Sequence, residues 1–168
     1  MRDTKFDEAL DEAFDRKNAE QGRPPNTDET NELRDRLMLD GIKAERFDDL
    51  IDHALDTFEL EGGFGFCASV SEALRKKNDL SRIERLFRGL VSSRSAAFWK
   101  AWPKAQEGHI GAMRESARHM SSAMEAMAGL WHGYWSLKDE AGMRETQEAM
   151  TTLQARVKTK LPKPKASK

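Results

Sequence analysis

From its first residues the chain places apolar side chains at a helical spacing. Phe6, Ala9, Leu10, Ala13 and Phe14 recur at i, i+3, i+4, i+7 and i+8, with acidic residues between them. That spacing gathers the apolar groups on one face and predicts an amphipathic helix. The stretch QGRPPN breaks it at Gly22, Pro24 and Pro25, because proline lacks the amide that a continuing helix needs. Asn26 followed three residues later by Glu29 has the form of a capping box, in which each side chain satisfies the other residue's backbone amide. It predicts a second helix carrying Leu33, Leu37 and Met38 and ending near Gly41. The next helix shows the clearest stripe: Phe47, Leu50, Ile51, Ala54, Leu55 and Phe58, stopping at Glu61-Gly62-Gly63. The following GGFGF reads as a tight turn between helices. A phosphate-cradling loop would follow a strand and run into Gly-Lys-Ser/Thr, and neither is present.

From Cys67 onward the pattern is helical almost to the end. SVSEALRKKN predicts a short basic helix, and DLSRIERLFRGLVSS carries Leu80, Ile83, Leu86, Phe87 and Leu90 at helical spacing. SAAFWKAW follows and is interrupted at Pro103, with a turn at Glu107-Gly108. GHIGAMRESARHM, MEAMAGLWHGYWSL and AGMRETQEAMTTLQARVKTKL predict further helices. The tail PKPKASK is basic and aperiodic and reads as disordered.

Part of this pattern repeats. GAMRESARHM, at 111–120, returns thirty residues later as AGMRETQEAM, at 141–150. Met113, Arg114, Glu115 and Met120 recur as Met143, Arg144, Glu145 and Met150, and Ser116 recurs as Thr146. A weaker copy begins near Asp79, with Leu80, Ile83 and Leu90 in the places of Ile110, Met113 and Met120. The preceding aromatic segments FWKAW and LWHGYW also correspond. The predicted unit is an aromatic-rich helix, a short turn and a helix with an apolar stripe. Such a hairpin cannot bury its faces alone, so neighbours must stack on it. Chance similarity of amphipathic helices is the alternative, because Ala, Met, Arg and Glu are common in any helix.

On these residues the stretch 66–160 resembles the tetratricopeptide-type solenoid, which pairs an aromatic- and small-residue first helix with an Ala-rich second helix. The resemblance implies an all-α fold of stacked helical hairpins and a protein or peptide ligand. It carries over no individual binding residue. The expected organisation is an acidic N-terminal helix with a Pro-containing linker (1–25), a helical hairpin (26–65), the hairpin repeats (66–160) and a disordered basic tail (161–168).

Composition supports the class. The 168 residues are 38% hydrophobic and 34% charged, and the low content of β-branched residues favours helix over strand. With Cys67 the only cysteine, no intrachain disulfide forms, which fits a reducing compartment. The N-terminus has no apolar run of the secretory kind and no stretch approaches 18 apolar residues, so a cytoplasmic protein is expected. The net charge of −1 hides an asymmetry. Residues 1–65 hold 19 Asp and Glu against 9 Lys and Arg, a balance of −10, and the remainder hold 10 against 19, a balance of +9. Either the halves attract each other or each meets a different partner. If the acidic half covers a basic groove, deleting residues 1–25 should increase ligand binding at low salt.

Few residues suggest chemistry. Asp49, His53 and Asp56 share a helix face with metal-ligand types, yet they coincide with the polar side of an amphipathic helix and read as a solvated face. Cys67 reads as a small buried hydrophobe rather than a reactive thiol. The methionines at 113, 120, 124, 127, 143 and 150 have the spacing of a core stripe. The aromatics Trp99, Trp102, Trp131, Tyr134 and Trp135, with Arg85, Arg88, Arg114 and Arg118 nearby, suggest partner-binding anchors, since interface hot spots favour Trp, Tyr and Arg. The alternative is that the tryptophans hold adjacent helices together. The expectation is therefore a non-catalytic module binding a peptide or protein, with no cofactor and no metal. A nucleic-acid-binding protein is the alternative, because residues 69–118 carry 11 Lys and Arg against 5 Asp and Glu and such charge interleaved with aromatics suits phosphates and bases.

Overall fold

The computed structural model describes residues 5–57 and 63–160. Those residues form seven helices and no strand: α1 (Lys5–Gln21), α2 (Thr27–Lys43), α3 (Phe47–Thr57), α4 (Gly63–Lys76), α5 (Leu80–Gln106), α6 (Ile110–Ser136) and α7 (Glu140–Lys160). The all-α class expected from the pattern is thus present. The expected disordered tail and Phe58 lie outside the described residues. The chain divides into two compact units, Met1–Leu86 and Phe87–Lys168. The division falls inside α5, not at the glycine-rich stretch.

In the first unit α1 packs on α2 and α3, α2 also on α3 and α4, and α3 on α4. The capping box forms as its spacing predicts: Asn26 Oδ1 accepts from the Glu29 amide at 3.0 Å, and Glu29 Oε2 accepts from the Asn26 amide at 2.8 Å. The core gathers Met38, Phe47, Leu50, Ile51, Ala54, Phe66, Cys67, Val70, Leu74, Ile83 and Leu86. The N-terminal helix is docked rather than free. Phe6 is buried, its ring centroid 4.3 Å from that of His53 and 5.6 Å from that of Phe66. Within GGFGF the structure differs from the expected turn, because α4 already starts at Gly63. Phe66, Cys67, Val70, Ser71 and Leu74 are all buried, a helical face that begins inside the glycine stretch. Glycine in a first turn costs less than this face gains by burial.

The second unit contains 87–106 of α5 with α6 and α7. Its buried side chains include Phe87, Leu90, Phe98, Ala123, Ala126, Met127, Leu130, Tyr134 and Leu153. Here the structure corrects the predicted hairpin. α5 and α6 are each single 27-residue helices. Neither breaks between its apolar stripe and the aromatic segment that follows, because no proline and no glycine pair stands there. Pro103 sits near the end of α5, where the missing amide removes one hydrogen bond and the helix runs on to Gln106.

The repeat has a geometric basis in the turns. Asn78, Gly108 and Lys138, thirty residues apart, all have left-handed backbone with φ of 57°, 90° and 60°. The next amide in each turn bonds back over five residues: Asp79 to the Leu74 carbonyl at 3.0 Å, His109 to Lys104 at 3.2 Å, and Asp139 to Tyr134 at 2.9 Å. This is the Schellman closure of a helix. Asp79 and Asp139 then accept from the amides of Arg82 and Gly142 at 3.2 and 3.0 Å, and so open the next helix. The thirty-residue period is therefore one long helix plus one turn.

Candidate interaction surface

The candidate residues sort into three environments. The first is structural. Tyr134 is 1% exposed, and its ring lies over Gly142, where a Cβ would come within 2.4 Å of it. Its hydroxyl accepts from Arg88 Nη2 at 2.8 Å, while Arg88 Nη1 donates to Glu145 Oε1 at 3.0 Å. The Arg88 guanidinium holds the Glu145 carboxyl below its usual range, and the carboxylate in turn raises Arg88. Tyr134 and Arg88 thus tie α5, α6 and α7 together.

Arg85 is engaged in the first unit. It donates to Asp48 at 2.7 Å and to Asp52 at 2.5 Å, while Arg82 donates to Asp48 at 2.6 Å and Asp79 at 2.9 Å. The Arg82 hydrogen bond is the main cause of an Asp48 carboxyl held below its usual range. Lys77 Nζ similarly reaches Glu45 at 2.6 Å. Within this unit, part of the acidic excess of α3 meets the basic start of α5 directly.

The second environment is partial burial. The Trp99 ring stands edge-on to Phe98, with centroids 4.8 Å apart, and the Arg156 guanidinium lies 4.7 Å from its centroid. Trp102 lies 5.2 Å from Phe98, with its Nε1 buried and lacking a hydrogen-bond partner among the described residues. Both tryptophans pack against Phe98 in the C-terminal part of α5.

The third environment is an exposed line along α6. Ile110 is 68% exposed, Met113 51% and Trp135 56%. Met120, Met124 and Trp131 are half-buried. Arg114 and Arg118 are exposed on the same helix, and His132 stacks on Trp135 at 5.5 Å. At 100° per residue these six apolar side chains fall within about 80° of one another. The buried face, with Ser116, His119, Ala123, Ala126, Met127 and Leu130, points elsewhere. Of the methionine stripe expected in the core, only Met127 is buried; Met120, Met124, Met143 and Met150 are half-buried and Met113 is exposed. The sequence pattern concealed this because α6 carries two apolar stripes. Either could have been its core face, and only the positions of α5 and α7 decide between them.

Other candidates have structural roles. His53 is buried, not solvated, with Nδ1 2.6 Å from Asp7 Oδ1 and Nε2 3.3 Å from Thr57 Oγ1. Cys67 is fully buried. Among the described residues no group of three His, Cys, Asp or Glu is placed to hold a metal, and no helix is long and apolar enough to cross a membrane. A cavity of about 200 Å³ opens beside Arg88, Val91, Met127, Leu130, Thr146 and Ala149. It is smaller than the roughly 300–1,000 Å³ of usual small-molecule sites and suits a single side chain. No protein-family model, curated protein or solved structure matches the chain.

Proposed function

We propose that the protein is a non-catalytic interaction module of the adaptor, regulator, chaperone or inhibitor kind. Its binding surface in this reading is the exposed line of Ile110, Met113, Met120, Met124, Trp131 and Trp135, edged by Arg114 and Arg118. The observation that carries the reading is the exposure of Ile110, Met113 and Trp135 along one helix, with Met120, Met124 and Trp131 half-buried between them. Contiguous apolar surface of this kind marks interaction sites in soluble domains, and methionine adapts to the shape of a docked helix. Engagement of Arg82, Arg85 and Arg88 with carboxylates favours a protein partner over nucleic acid, since those charges are already compensated. The tetratricopeptide-like resemblance points to the same class of ligand.

Affinity capture from native lysate tests the reading, comparing the wild-type chain with Trp135→Ser and Ile110→Ser after nuclease treatment. Expected is a protein partner retained by wild type and lost from both variants. Equal recovery by the variants, or loss of the partner on nuclease treatment, would count against it.

A further inference from the structure

We infer that the partner seated on this face is a second copy of the chain, paired α6 to α6 in antiparallel orientation about a two-fold axis near Ser122. The inference rests on the interaction-surface reading above and supplies its partner.

The internal repeat shows what the face is built to do. Thirty residues before Met113, Ala117, Met120, Ala128, Trp131 and Trp135 stand Ile83, Phe87, Leu90, Phe98, Ala101 and Ala105. All six of the earlier residues are buried. The corresponding positions of α6 are exposed or half-buried. The repeat thus carries a packing face that is covered in one copy and uncovered in the next.

The stripe is also complementary to itself. Reversed about residues 122 and 123, it sets Ile110 opposite Trp135, Met113 opposite Trp131, Ala117 opposite Ala128 and Met120 opposite Met124. Large groups flank the pairing at both ends, methionine meets methionine at its centre, and alanine meets alanine between, where two helices approach closely. Methionine against tryptophan adds favourable sulfur–aromatic contact. The stripe is about 38 Å long at 1.5 Å per residue, so every element of the pairing is used twice.

Side-chain size fits the antiparallel orientation. A parallel pair would set each tryptophan against its own copy at one end of the stripe, whereas the reversal sets Trp131 and Trp135 against the smaller Met113 and Ile110.

Sedimentation of the full chain over a wide concentration range tests this. Expected is reversible association that doubles the 19.1 kDa mass. Met120→Glu, at the centre of the stripe, should leave a monomer with unchanged far-ultraviolet circular dichroism. Trp135→Ser should raise the dissociation constant by roughly tenfold or more, since both symmetry-related Ile110–Trp135 pairs are lost. A chain that stays monomeric throughout, or a dimer indifferent to Met120→Glu or to Trp135→Ser, would overturn the inference. A monomeric chain that still captures a different protein through Trp135 would overturn only the self-pairing and leave the interaction-surface reading standing.

Discussion

Single residues set how closely the helices of the second unit approach. A Cβ on Gly142 would lie 2.4 Å from the Tyr134 ring, whereas a Cβ on Gly111 would meet nothing within 4 Å. Gly142→Ala should therefore cost about 1–3 kcal/mol by overpacking. Gly111→Ala should stabilise by up to about 1 kcal/mol through helix propensity. Chemical denaturation midpoints compare the two, and equal effects would show that the Tyr134 contact is not tight. These glycines look alike in the sequence, since each sits in the first turn of a helix. Only the ring of Tyr134 distinguishes them, and its position depends on how α6 meets α7. The aromatic residues show the same limit: at 100° per residue Tyr134 points away from Trp131 and Trp135, but the spacing does not say which direction is inward.

At the scale of the element, helix ends were the most legible features. Asn26 and Glu29 were readable as a capping box because a cap is a local hydrogen-bond exchange within four residues. Asn26→Ala should cost about 1 kcal/mol, measured by thermal or urea unfolding. The Glu29 carboxyl is lowered from 4.5 to about 2, first by Arg23, then by the Asn26 amide and Gln21. A carboxylate lowered in the folded state contributes stability that is complete above its unfolded value and lost as pH falls through the folded one. The contribution of Glu29 should thus fade between about pH 4.5 and 2. In Glu29→Gln the pH dependence of the melting temperature should flatten over that window. The left-handed turn residues give a second test. Lys138 occupies with φ of 60° a position that glycine takes without steric cost. Lys138→Gly should stabilise by about 0.5–1 kcal/mol, and a lower melting temperature would contradict that account.

At the scale of the molecule, the −10 and +9 halves of the sequence are partly reconciled by direct contact within the first unit. Asp48 and Asp52 of α3 meet Arg82 and Arg85 of α5. Asp48→Asn should lower stability by no more than about 1 kcal/mol, because the pairs are solvent-exposed. Its difference from wild type should shrink in molar salt. An effect of the same size at high salt would assign the loss to packing rather than charge. Removing residues 1–25 would also uncover Phe66 and His53, which pack against Phe6. Charge-neutral variants of α3 are therefore the cleaner probe of whether acidic residues restrain the basic ones.

The sequence by itself determined the helical class, the capped start of α2 and the thirty-residue period, because helix periodicity and capping depend on residues within a few turns of each other. The period said nothing of whether thirty residues make one helix or two. That was decided by the left-handed turns at 78, 108 and 138 and by the lack of any break within α5 and α6. The tertiary structure also decided which of the two apolar stripes of α6 became core. Burial of one and exposure of the other follow from the placement of α5 and α7, a long-range property that no local spacing encodes.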